Sequence, residues 1–215
     1  MSNLTQLRLA AREVFNEALC AVDAGAAVRR TVRLEGSHLS VCETVIDLSA
    51  QQSIYPIAIG KAAFAMASAL DLMIGERLTA GVLTSNISSY RSPRNQGNAR
   101  ADASDQTGTP ALLRWQVFQG GHPEPNDQSL SAAQSCFDLL ERANEECALV
   151  MFLISGGGST MLEWPISEDI ILADLRAANR TLINCGASIT EVNAVRRAFS
   201  AIKGGRLADR APHCD

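Results

Sequence analysis

No two cysteines of this chain form a C-x-x-C pair; the six, at positions 20, 42, 136, 147, 185 and 214, are scattered over 215 residues. A disulfide framework or a cysteine-held metal needs clustered ligands, so these residues read as thiols in a reducing compartment. Long apolar runs are also missing. The longest, Cys147 to Ile154, is far too short to span a bilayer. The N-terminus, Met1-Ser2-Asn3-Leu4-Thr5-Gln6-Leu7-Arg8, lacks an apolar signal-peptide core, so a cytoplasmic protein without membrane contact is expected. Excess charge of either sign is absent too. A net charge of -4, with 19 Lys+Arg spread along the chain, gives no surface built to neutralise a nucleic-acid backbone. What is present is the composition of a folded domain: 47% hydrophobic and 20% charged residues exclude general disorder and fibrous repeats, and the length suits one well-filled domain or two small ones.

Apolar residues at three- and four-residue steps (Leu4, Leu7, Ala11, Val14, Phe15, Ala18, Leu19, Val22) predict an N-terminal amphipathic helix with one buried face. A short second helix is expected through Ala27 to Arg33. Ile54-Tyr55-Pro56-Ile57-Ala58-Ile59 reads as a strand ending at Gly60, and Lys61 to Leu70 as a helix of strong helix formers. Pro56 leaves the start of that strand open, because proline cannot donate to a ladder. Gly81-Val82-Leu83, Trp115-Gln116-Val117-Phe118 and Leu149 to Ile154 are further strands, with a helix marked by Leu130, Ala133, Phe137 and Leu140 before the last. Strands apolar on both faces and alternating with helices predict a three-layer α/β domain with a mainly parallel sheet. Ser85 to Arg114, rich in Ser, Asn, Arg, Asp, Gln, Gly and Thr, is expected to be a mobile surface insertion.

Four segments carry candidate chemistry. Ser155-Gly156-Gly157-Gly158-Ser159-Thr160 directly follows the most apolar strand. Successive glycines allow positive φ and let several N–H groups converge on one anion, and this end of a parallel strand is where ligands bind. A ligand-free turn is the alternative, although one or two glycines would serve it. The loop is neither familiar nucleotide fingerprint: Met161 stands where the dinucleotide pattern needs its last glycine, and near Gly60-Lys61 the P-loop hydroxyl is replaced by Ala62 and its first glycine by Tyr55. Lys61 falls at a strand-to-helix junction that favours anions, where an ammonium about 4 Å from a phosphate charge is worth roughly 4 kcal/mol before desolvation. A solvated first-turn lysine is the other reading. Gly121-His122-Pro123-Glu124-Pro125-Asn126 offers His122 as a substrate ligand or base, or as a tie for a proline-rich turn, with Asn126 or Asp127 capping the next helix. Ser188-Ile189-Thr190-Glu191 is a capping box that explains Glu191 structurally. Asn193, Arg196 and Lys203 are placed near one face of the helix it opens, because Arg196 and Lys203 are seven apart; that face either lines an anionic cleft or is solvated.

Together, Gly60-Lys61-Ala62, Gly121-His122-Pro123, Leu153 to Ser159, Glu191 to Arg197 and Ile202-Lys203-Gly204-Gly205-Arg206-Leu207-Ala208 resemble the N-terminal domain of the class II glycerate kinase family, the glycerate 2-kinases of MOFRL type. The resemblance implies a Rossmann-like domain followed by a smaller C-terminal α/β domain, with ATP-dependent phosphorylation of D-glycerate at its 2-hydroxyl in the cleft between them. It implies Lys61 and Arg196 as catalytic residues. Ser155, Gly156, Gly157, Gly158, Ser159, His122, Glu191, Asn193 and Lys203 would bind phosphate or substrate, and Mg²⁺ would accompany ATP with no protein metal ligand assigned.

Two departures from the family pattern bear on activity. The 85–114 stretch looks longer than the family's connection, and the sequence stops shortly after Leu207. The expectation is therefore an N-terminal half that is inactive alone and depends on a separate C-terminal domain or on self-association. A hydroxypyruvate reductase using NAD(P)H, a label some family members carry, and a non-catalytic anion- or metabolite-binding module are the competing readings.

Overall fold

The computed structural model describes residues 3–48, 52–86 and 112–215. Most of the 85–114 insertion lies outside the described residues; Ser85 itself is the buried last residue of a strand, and Leu112 is buried in the core. The chain begins with α1 (Asn3–Ala21) and α2 (Ala24–Thr31), followed by an antiparallel meander of β1 (Val32–Glu35), β2 (His38–Val41) and β3 (Thr44–Asp47). Then come β4 (Ile54–Ile59), α3 (Ala63–Ile74), β5 (Gly81–Ser85), β6 (Trp115–Gln119), α4 (Asp127–Glu145), β7 (Leu149–Ile154), and the short α5 (Gly158–Met161). Two further helices, α6 (Leu172–Asn184) and α7 (Ile189–Phe199), complete the order of regular elements.

The second sheet has the order β6-β5-β4-β7 and every pairing in it is parallel. Counted along the chain, its strands stand 3-2-1-4, the doubly wound order in which connections leave the first strand in opposite directions. Strand β4 is buried at all six positions. Ile54 and Ala58 pack with α2, α3 and the meander, while Tyr55, Ile57 and Ile59 pack with α4 residues such as Ala133, Phe137 and Leu140. That two-sided burial is the physical reason the strand is apolar without alternation. The α/β three-layer expectation is met.

Pro56 sits inside the central strand, and the register explains how. Gly60 N donates to Thr84 O (3.0 Å) on the β5 side, and Ser155 N to Ile59 O (2.9 Å) on the β7 side, so even-numbered residues of β4 address β5. Pairing with β5 starts only at Ile57 opposite Val82. The missing donor of Pro56 therefore falls in the gap between that first pair and the isolated Ile54–Leu78 bridge.

Three expectations are corrected. The apolar stripe of α1 is not buried: Phe15 is 62% and Val14 70% exposed, with Leu4, Leu7 and Leu19 also exposed. The helix forms on its periodicity, but no core of the described residues covers it. The second helix ends at Thr31 instead of reaching Arg33, because Val32 and Arg33 open the β1–β2–β3 meander, whose Leu39 is fully buried against the α2–α3 core. Lys203 does not share a helix with Arg196, because α7 ends at Phe199 and Ser200 is extended (φ -114, ψ 132), in an isolated bridge with Pro165. Among the described residues, no helix is long and apolar enough to cross a membrane.

Candidate functional site

In a 3-2-1-4 sheet the crevice opens between the first and fourth strands, here β4 and β7, at their carboxyl ends. The two loops leaving those strands are stitched together. Lys61 N donates to Gly156 O (2.9 Å), and Ser155 Oγ donates to Ile59 O (3.2 Å) while accepting from Ala62 N (3.0 Å). The Ser155 hydroxyl is thus occupied in joining the loops, which makes it a structural member of the crevice.

The approach leaves little room for side chains, and at two of its glycines the backbone also has positive φ. Gly60 has φ +113, and a Cβ there would lie 2.5 Å from Ser155 O and Oγ. Gly157 has φ +88 as the residue before α5, and a Cβ there would meet Lys61 Cε at 3.1 Å and Cγ at 3.2 Å. The Lys61 stem therefore packs across the glycine loop. Its head is exposed, and no carboxylate among the described residues pairs with it. Gly157→Ala is expected to cost about 1–2 kcal/mol from the left-handed backbone alone, plus a contact penalty with Lys61. Thermal denaturation of Gly157→Ala in a Lys61→Ala background should recover the second part and leave the first.

Further residues converge from the loop after β6 and from α6 and α7. His122 is exposed, with Nδ1 3.4 Å from Thr160 Oγ1. Its proline-rich loop is fastened to α6 by Asn179 Nδ2 donating to Pro123 O (2.5 Å) and Arg176 Nε donating to Pro125 O (2.8 Å). The turn-tying reading therefore applies to the segment, through its prolines and α6 rather than through His122. Asn126 caps α4, accepting from Ser129 N (2.9 Å).

Arg196, half-buried on α7, donates through Nη2 to Asn179 Oδ1, while its Nε is buried without a partner. A cavity of about 30 Å³, room for one water, brings Arg196 together with Ser159, Thr160, Asn179 and Glu163. Ser159 is exposed and Asn193 half-buried. Glu191 is spent on the cap of α7: Ser188 Oγ donates to its Oε2 at 2.7 Å and Ser188 N at 2.9 Å, and these bonds, the hydroxyl's first, hold its carboxyl below the usual range.

Lys203 reaches the same neighbourhood by another route, as the ion-pair partner of Glu163. Ser200 Oγ donates to the other Glu163 oxygen at 2.6 Å. Burial pushes Lys203 below the usual lysine range, against the pull of Glu163, with nearby Arg196 adding to the downward shift. Glu163 itself escaped the sequence reading. The available signal was an acid set in the apolar run Met161-Leu162-Glu163-Trp164, immediately after the glycine loop, since an acid at an apolar position is normally paired.

The sequence profile of the family described as "Domain of unknown function (DUF4147)" matches residues 10–214. The chain belongs to that family. It is similar to the D-glycerate 2-kinase of Thermotoga maritima, 30% identical over 183 residues, which cover 85% of this chain and 39% of that protein. It is also similar to the glycerate kinase of Rattus norvegicus, 35% identical over 208 residues, covering 94% of this chain and 37% of that one. A crystal structure of a Pyrococcus horikoshii OT3 protein superposes with a TM-score of 0.72 and 31% identity, covering 95% of this chain and 41% of the other. This DUF4147 chain thus spans about two fifths of the length of the relatives it matches.

Proposed function

We propose that this chain is a glycerate-kinase-type N-terminal α/β domain and supplies one wall of an ATP-dependent glycerate 2-kinase site. The γ-phosphoryl group of ATP would pass to the 2-hydroxyl of D-glycerate, with Lys61 and Arg196 as the positive groups. The observation that carries this reading is the Lys61 side chain, whose stem packs over Gly157 at the strand switch point and whose ammonium has no carboxylate partner among the described residues. Names of similar proteins support it.

Phosphoryl transfer spreads negative charge over the equatorial oxygens, so the chain's contribution is positioning and charge. Lys61 approaches the transferring group from the β4 side. The N–H groups of Gly157, Gly158 and Ser159 approach from the β7 side, in a loop where a Cβ would intrude. Arg196 lines the adjoining cavity with Ser159 and Glu163; that cavity is water-sized, so the part of Arg196 in this reading is positive charge beside the loop. The glycine cradle fits a phosphate of ATP. Mg²⁺, when bound with ATP, would neutralise the triphosphate; no residue of this chain is assigned to it. The partner that completes the cleft is a second domain, on this chain's continuation or on a separate chain, working in a cytoplasmic setting.

A coupled ADP-release assay with D-glycerate, on this chain joined to a second domain, is the test. Expected is glycerate-dependent turnover in the assembly and almost none from the 215-residue chain, because half a cleft neither excludes water nor closes on ATP. Hydroxypyruvate-dependent loss of nicotinamide absorbance would favour the reductase instead. Calorimetric binding of ATP or glycerate with no product from the assembly would favour the non-catalytic module.

A further inference from the structure

Asn179 is a polar side chain in an almost fully buried place, 5% exposed on α6. Both ends of its amide are used. Oδ1 accepts from Arg196 Nη2 of α7 (2.5 Å), and Nδ2 donates to Pro123 O in the loop after β6 (2.5 Å). The amide therefore has one orientation, because a flip would set donor against donor and carbonyl against carbonyl. Two neighbours on the same face of α6 hold that loop as well, Arg176 through Pro125 O at 2.8 Å and Arg180 through Glu124 at 3.6 Å.

What Asn179 presents to Arg196 is neutral. Glu163, the carboxylate in the same cavity, is occupied by Lys203 and by Ser200 Oγ at 2.6 Å. No carboxylate among the described residues pairs with Arg196. Two cations and one carboxylate thus share this corner of the crevice, which leaves one positive charge in excess beside Ser159 and Thr160. An aspartate in place of Asn179 would hold the guanidinium by a stronger, charge-assisted bond and cancel that excess.

We propose that Asn179 is a positioning residue of the crevice: it holds Arg196 beside the glycine loop through an uncharged acceptor, so that the guanidinium keeps its charge for an anion bound at Ser155–Ser159. The inference rests on the phosphate-binding reading of that loop. An amide that served packing alone would also suit Pro123 O, which needs a donor that a carboxylate lacks. The two roles differ in the rank of two substitutions.

The test titrates inorganic phosphate into the full chain and follows the amide resonances of Gly157, Gly158 and Ser159 by NMR, for the unsubstituted chain, Asn179→Asp and Asn179→Ala. Asn179→Asp is expected to weaken phosphate binding about 10-fold because it neutralises Arg196, whereas Asn179→Ala, which frees the guanidinium but leaves its charge, weakens it only about 2-fold to 3-fold. A packing role gives the reverse rank, since alanine removes both hydrogen bonds and aspartate is the nearer shape. That reverse rank, or equal affinity in all three chains, overturns the proposal and leaves the phosphate reading standing. An unsubstituted chain without phosphate-dependent shifts sinks both. If thermal melts show that Asn179→Asp does not fold, Arg196→Met takes its place: phosphate should weaken about 10-fold, and Asn179→Ala in that background should add nothing. A smaller loss from Arg196→Met, or an added one from Asn179→Ala, overturns the proposal as well.

Discussion

Lys61→Ala is expected to lower turnover by about 10²–10³-fold in an assembly that phosphorylates D-glycerate, a loss of about 3–4 kcal/mol of transition-state stabilisation. The loss should fall on kcat, with KM changing little, because in the proposed role the ammonium interacts most strongly with charge that develops during transfer. Lys61→Arg should recover part of the rate: the charge remains, but a planar guanidinium does not reproduce a stem packed on Gly157. Stability should be almost unaffected by either change, since the head is exposed and forms no ion pair among the described residues. Steady-state ADP release with parallel thermal melts separates the two effects. An unchanged kcat in an active assembly would remove Lys61 from the chemistry and leave it as a packing residue.

Glu163→Ala should destabilise the fold by about 3–5 kcal/mol, because it strands a buried lysine without its counter-charge. The Lys203 side chain is 14% exposed and that of Glu163 10%, so water cannot replace the lost partner fully. Removing both charges with Glu163→Met and Lys203→Met should cost far less, since two apolar groups of similar volume avoid the desolvation that the pair must offset. A pH series adds a sign. Lys203 already titrates below its ordinary 10.5 through burial, and loss of Glu163 lowers it further. A lysine with a depressed folded-state pKa opposes folding while it is charged, and the opposition fades as pH rises through that pKa toward the unfolded value. The deficit of Glu163→Ala should therefore shrink as pH is raised toward 10.5, as read by urea unfolding. A deficit independent of pH would place the damage in lost packing around Ser200 and Trp164.

The parts of the molecule legible in the sequence are those fixed by local pattern. The Ile54–Ile59 strand, the junction at Lys61, the apolar Leu149–Ile154 strand and the glycine turn after it each follow from a run of a few residues. Their meeting in space follows from sheet order, which expectation of a parallel α/β sheet already narrowed. The capping box at Ser188 and Glu191 was legible for the same local reason.

What escaped was set by distant partners. Lys203 could not be placed because the end of α7 depends on Ser200, whose hydroxyl answers Glu163 and whose backbone bridges Pro165. The stripe of α1 promised burial that nothing in the described residues supplies. In the meander, Val32-Arg33-Leu34-Glu35 does alternate apolar and polar residues, but four-residue strands give too short a signal to separate from a polar connection.

The pairing of β4 with β7 also has a kinetic consequence. It joins residue 54 to residue 149, with two strands and two helices lying between them in the chain. Contacts of such high sequence separation form after the local βα units, because a long loop must close before they return any energy. Lys61 meets the glycine loop only through that late pairing. Refolding should therefore show helical signal well ahead of the proposed anion binding, with the crevice the last part of this sheet to form.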